Sequence, residues 1–185
     1  MKILVCAFPA YADHGSNPAE QILQRLSRND IEKVLLPFSW RRSKETLEAK
    51  IDETKADMVL VLNLCPYRHS PTLEQYAYNQ MNETSLPDDD GEVRRGEKVC
   101  EDGPASLRFA NDVSALADTL RMEGSYCSNS IDPGRFLDNE VYYAALAKGK
   151  NALLVHIPLQ SDFPLEESYE MVDRLIDLLP NFAQA

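Results

Sequence analysis

Positive charge is scarce in this 185-residue sequence: 19 Lys and Arg face 30 Asp and Glu, a formal net charge of −11. So acidic a surface repels phosphate backbones and anionic lipid headgroups, which argues against nucleic-acid and membrane partners. Long apolar runs are missing as well. The first one, Met1 to Phe8, gives out by Ala12, before His14 and Asn17, too soon for a signal peptide or a membrane span. Cysteine pairs are absent: Cys6, Cys65, Cys100 and Cys127 are widely separated, with no CxxC and no histidine spaced as a second metal ligand. Without a secretion signal, that usage fits a reducing, cytoplasmic setting. No repeat or low-complexity tract interrupts the chain. The length is ordinary for one domain with a substantial core, so residues 1–185 are expected to form a single domain.

What is present is an alternation of strand and helix. Lys2 to Phe8, Val34 to Pro37, Asp57 to Leu62 and Ala152 to Pro158 are short apolar runs of the kind that form strands covered on both faces. Between and after them lie helical patterns: Pro18 to Leu26 with Asn17 as N-cap, Ser43 to Thr54, Ala110 to Glu123, a helix from near Asn139 to Ala147, and Leu165 to Leu179. Residues 82–104, with Asp88, Asp89, Asp90, Arg94 and Arg95, are expected to be a charged irregular loop whose aspartates are solvated. In open α/β sheets the ligand sits beyond the carboxyl ends of the strands, which here points to residues 8–17 and 63–79.

Several short motifs follow one another in a telling order. They are Ala7-Phe8-Pro9-Ala10-Tyr11 with Asn17-Pro18, Leu36-Pro37-Phe38-Ser39-Trp40, Leu73-Glu74-Gln75-Tyr76-Ala77-Tyr78-Asn79, Leu86-Pro87-Asp88-Asp89-Asp90-Gly91 and Asp102-Gly103-Pro104-Ala105. Ser128-Asn129, Gly134 to Tyr143 and Val155-His156-Ile157-Pro158 complete the series. Over most of its length the chain thus resembles pyroglutamyl peptidase I, the family of cysteine peptidases that removes N-terminal 5-oxoproline. The resemblance implies a three-layer α/β/α sandwich around a mostly parallel central sheet, and suggests self-association.

It also implies a cysteine nucleophile, a histidine base and a glutamate that orients the histidine. Glu74 falls on the family glutamate and His156 on its histidine, but the cysteine position, set by Gly134 before it and Asn139 after it, holds Asp138. The family's glycine-rich segment after the third strand is replaced by Asn63-Leu64-Cys65-Pro66-Tyr67-Arg68, which keeps only the arginine. Pro66 has no N–H to offer a ligand or oxyanion there, so this loop is expected to be rebuilt. Phe8, Tyr11 and Asn17, together with Asn63, Tyr67, Arg68 and Phe136, are the expected substrate-binding residues.

A carboxylate is a poor nucleophile toward an amide, because the anhydride it would form is less stable than the amide consumed. Aspartate can instead serve as general acid or base when its surroundings suit. With His156 between Asp138 and Glu74, two carboxylates would hold the imidazole protonated or share its proton. The expected function is therefore a divergent enzyme that hydrolyses or cyclises a small amide, lactam or acyl-amino acid by acid–base catalysis, as in a specialised biosynthetic step. The alternatives are a catalytically silent relative that binds a small molecule or peptide terminus, and ordinary pyroglutamyl peptidase activity through another thiol. Asp138 could also be a plain helix N-cap, and His156 a core histidine with a satisfied hydrogen bond. No spacing motif supports a metal on Glu74, Asp138 and His156, and no cofactor is expected.

Overall fold

A computed structural model describes residues 1–182. Its elements are β1 (Ile3–Ala7), α1 (Pro18–Arg25), β2 (Ile31–Leu35), α2 (Trp40–Thr54), β3 (Met58–Leu64), β4 (Thr72–Glu74), β5 (Tyr76–Tyr78), β6 (Met81–Glu83), β7 (Arg94–Glu97), β8 (Ser106–Arg108), α3 (Val113–Met122), β9 (Ser128–Ser130), α4 (Leu137–Ala147), β10 (Asn151–Ile157) and α5 (Leu165–Phe182). A six-stranded sheet runs β2-β1-β3-β10-β4-β9. All its pairings are parallel except β10 with β4.

Strands β1, β3 and β10 bury both of their faces, as their continuous apolar runs require. Alternate side chains feed two cores. Ile3, Val5, Leu60 and Val155 pack with α1, α3 and α5, whereas Leu4, Cys6, Val61 and Leu154 pack with α2 and α4. The result is the expected three-layer α/β/α sandwich with a mostly parallel sheet. Asn17 caps α1 by accepting from the Ala19 N–H at 2.9 Å, with Pro18 in the first helical position. Helix α2 starts at Trp40, earlier than its apolar spacing predicts, because Ser39 caps it through the Arg42 N–H.

The stretch 82–104 is not irregular throughout. Strands β6 and β7 pair antiparallel across it, and Asp88 is buried rather than solvated. The Asp88 carboxylate accepts from the backbone N–H groups of Trp40 (2.9 Å), Asp90 (3.0 Å) and Glu92 (2.8 Å), while Asp90 takes the Ser39 hydroxyl and the Arg42 guanidinium. Negative charge is thereby held against the positive end of α2. A run of aspartates followed by glycine reads as a solvated turn, since the distant helix end that uses it is invisible locally.

Removing the Asp88 carboxylate strands these backbone donors, at a cost of about 1–3 kcal/mol for a buried unsatisfied group. Chemical denaturation should therefore show Asp88→Ala destabilised by about 2 kcal/mol or more. Asp89→Ala, on an exposed neighbour, should change stability by less than about 0.5 kcal/mol.

Candidate active site

The parallel sheet sets the site by register. His156 lies next to last in β10 and pairs directly with Asn63 of β3. On the other side of β10, Glu74 of β4 pairs with Leu154, two residues back and on the same face as His156. Helix α4 packs over that face, its apolar side chains Leu137, Val141, Tyr142 and Ala145 filling one core. Its first turn carries Asp138 toward the sheet, where the helix N-terminus favours an anion. The residue preceding α4 is Phe136, which caps nothing with its side chain, so Asp138 is not the N-cap. Its side chain turns inward instead, because both flanking positions are buried against the sheet.

His156 bridges the two acids. Its Nδ1 lies 2.8 Å from Glu74 Oε1, and its Nε2 lies 3.0 Å from Asp138 Oδ2. All three side chains are almost wholly buried, at 0–3% exposure, so their charges are poorly screened. Burial alone would push the imidazole pKa down; the hydrogen bonds and charges of Asp138 and Glu74 reverse this and raise it to about 10. Arg68 supplies a cation: its Nη2 donates to Glu74 Oε1 at 2.7 Å, to Ser130 Oγ at 2.9 Å and to the Asp132 carbonyl at 3.0 Å. The phenol of Tyr11 is held protonated by burial and by the Asp138 charge, and donates to the Leu64 carbonyl at 2.6 Å.

Asp138 and His156 form part of the wall of a cavity of about 450 Å³. Of the expected binding residues, Tyr11, Tyr67, Arg68 and Phe136 line it. Tyr11 stacks on Phe38 with centroids 4.9 Å apart and leans on Phe136 at 5.5 Å, giving an aromatic wall suited to a small planar group. Phe8, Asn17 and Asn63 do not reach the cavity. Phe8 is fully buried in the core behind it. Asn17 spends its amide on the Phe8 and Pro9 carbonyls and on Asn63, and Asn63 donates to Asp138 Oδ2 at 2.9 Å. Their role is internal because the chain needs partners for its own buried polar groups there.

Glu83, Asp132 and Cys65 line the cavity without having been singled out. The rule that ligands gather beyond the strand ends covers Cys65, which follows β3 directly. No local signal marks Glu83 or Asp132, which arrive from a hairpin and a turn. His14 lines the cavity, while His69 is exposed and faces Asp162. Among the described residues no group of three or more His, Cys, Asp or Glu side chains is disposed to hold a metal ion, and no helix is long and apolar enough to cross a membrane.

Known proteins bear out the resemblance. The pyroglutamyl peptidase family model matches residues 1–160. The pyrrolidone-carboxylate peptidase of Thermococcus litoralis is 30% identical over 172 residues, covering 87% of this chain and 78% of the relative. That of Saccharolobus solfataricus is 28% identical over 172 residues, covering 88% and 81%. The crystal structure of pyrrolidone carboxyl peptidase from Fervidobacterium islandicum superposes with a TM-score of 0.91 at 25% identity, over 98% of this chain and 99% of that one. Fold, motif order and family match agree, and this chain belongs to the pyroglutamyl peptidase family.

Proposed function

We propose that the chain is an acid–base hydrolase or cyclase of a small amide, lactam or acyl-amino acid that works without a thiol nucleophile. The observation that carries this reading is the His156 imidazole bridging Glu74 and Asp138 at the cavity wall. By the motif spacing, Asp138 falls where the family carries its cysteine. The pair then offers a carboxylate base beside an imidazolium acid.

Hydrolysis needs both. As water attacks the carbonyl carbon, Asp138 takes its proton through Oδ1, whose partner is the Asn139 N–H alone. As the C–N bond breaks, His156 gives its Nε2 proton to the departing nitrogen. That leaves Asp138 protonated and His156 neutral at Nε2, and net transfer of one proton from the acid to the ring restores the pair. Ring closure is the same sequence reversed. Glu74, tied to Arg68, keeps the ring oriented and its Nδ1 proton in place throughout.

The relatives named above are peptidases, and Cys65 puts a thiol on the same cavity wall, which favours a second reading: pyroglutamyl release through Cys65. Against it, both nitrogens of His156 are already committed to carboxylates, leaving no free base to take the thiol proton. A silent binding protein is the third outcome. We place the protein in the cytoplasm, acting on a small molecule or short peptide, with self-association an expectation that light scattering would check.

A screen of pyroglutamyl peptides, small lactams and linear γ-amides separates these readings. Asp138→Asn should lower turnover by about a hundredfold to ten-thousandfold, the usual worth of a positioned acid–base group. Cys65→Ser should leave it unchanged; the opposite pattern would transfer the chemistry to Cys65, and absence of turnover on every substrate would leave a binding protein.

The pH dependence has a definite sign. The His156 pKa rises from 6.5 to about 10 on folding, so its stabilising contribution is complete below about pH 6.5 and lost as pH climbs through about 10. Thermal unfolding should show stability falling over that alkaline interval, and kcat should fall with it as the imidazolium acid is lost. His156→Gln should flatten the alkaline limb of the stability profile.

A further inference from the structure

A line of buried hydrogen bonds leads into Asp138 from outside the cavity, and its direction is fixed at both ends. Asn17 Oδ1 accepts from the Ala19 N–H, a bond that only the oxygen of that amide can make. Asn17 Nδ2 is therefore the donor, in keeping with its approach to the Phe8 and Pro9 carbonyls at 3.0 and 3.1 Å. The atom of Asn63 facing it at 3.3 Å must then be an acceptor, Oδ1. This leaves Asn63 Nδ2, a donor, pointing at Asp138 Oδ2 at 2.9 Å.

From the other end, the Arg68 guanidinium donates to Glu74 Oε1, which fixes that oxygen as an acceptor. His156 Nδ1, 2.8 Å from the same oxygen, must carry a proton. Two states of the His156–Asp138 pair satisfy both ends. In one, His156 is neutral and a protonated Asp138 donates to Nε2; in the other, His156 is an imidazolium and Asp138 a carboxylate.

We propose that Asn63, oriented by Asn17, is the positioning residue that decides between these states, holding Asp138 as a carboxylate and the shared proton on His156. The hydroxyl oxygen of a carboxylic acid is a poor acceptor, whereas a carboxylate oxygen accepts from Asn63 and His156 together at full strength. The α4 N-terminus and the Asn139 N–H on Oδ1 act in the same direction but are present whatever stands at position 63. Of the other groups around the pair, Tyr11 donates to a backbone carbonyl and Cys65 faces the cavity, while Glu74 favours the imidazolium through Nδ1 but again whatever stands at position 63. The resemblance places glycine where Asn63 stands, so the donor accompanies the carboxylate it serves.

The inference deepens the acid–base reading, since it assigns the group that sets which partner is acid and which is base, but its test needs no turnover. The 15N resonances of the His156 ring report its protonation directly, and they stand apart because His14 and His69 are not buried. In the unaltered protein at pH 7, both ring nitrogens should show imidazolium shifts; a neutral ring overturns the proposal. In Asn63→Leu, close in volume but without a donor, the pH at which the pair takes up its second proton should rise. A charge-assisted hydrogen bond of about 1.5–3 kcal/mol corresponds to about a tenfold to a hundredfold gain in proton affinity, or about one to two pH units. The Asp138 13Cγ resonance reads this midpoint, and an unchanged value also overturns the proposal. If Asn63→Leu does not fold, the ring state of the unaltered protein decides alone. Inactive protein with an imidazolium ring would sink the proposed function and leave this inference standing.

Discussion

Two carboxylates and an imidazole, all nearly excluded from water, are kept in one place by setting opposite charges together and facing donors to acceptors. Isolated, each charge would cost several kcal/mol to bury. Here Glu74 and Asp138 close on His156 from either side, and Arg68 adds a cation beside Glu74. The supporting residues come from every layer. Asn17 caps α1, Asn63 and His156 lie next to last in β3 and β10, Asp138 is in the first turn of α4, Glu74 sits in β4, and Ser130 of β9 holds the arginine. Much of the local geometry at the carboxyl ends of the strands follows from keeping that line connected.

Helix α4 shows how tightly the requirement is drawn. It is buried along almost its whole length, and its second to fourth residues are Asp138, Asn139 and Glu140, each a polar group with little access to water. Asn139 anchors the helix by bonding the Tyr78 N–H and carbonyl and the Gln80 carbonyl, which fixes the loop beside the β5–β8 ribbon. Glu140 has only a 3.4 Å contact with Ser43, and burial raises its pKa to about 8, with Lys44 and Arg94 working against the rise. The contrast is instructive. Where donors do not converge, a buried acid is pushed toward its neutral form.

Much of this was legible in the sequence. The five helices and strands β1, β3 and β10 follow from apolar runs and spacing, because each buries an apolar face large enough to leave a pattern, whereas β2, expected over Val34 to Pro37 and covered on both faces, runs Ile31–Leu35 as an edge strand with no buried residue. Strands β4 and β9 have only three residues each and carry polar side chains, so they leave none. Glu74, His156 and Asp138 were reachable through motif order, and the structure brings them together. The roles of Phe8, Asn17 and Asn63 were not reachable, because a residue that lines a cavity and one that stands directly behind its wall have the same place in the chain. Asp88 failed for a related reason: its partner is a helix end 48 positions away.

On the proposed reading, a carboxylate in the place of a thiol changes the protonation of the site more than its shape. A thiol beside an imidazole can give up its proton and become an anion, so one histidine serves first as base and then as acid. A carboxylate is already the anion, and the histidine it meets stays charged from the outset. That arrangement removes the need for a covalent intermediate but demands that the carboxylate never borrow the histidine's proton at rest. Donors on the far side of Asp138 meet that demand, and glycine at position 63 would have no side chain with which to do so. On the proposed acid–base reading, the polar residues behind the cavity thus belong to the chemistry as much as the aspartate that faces it.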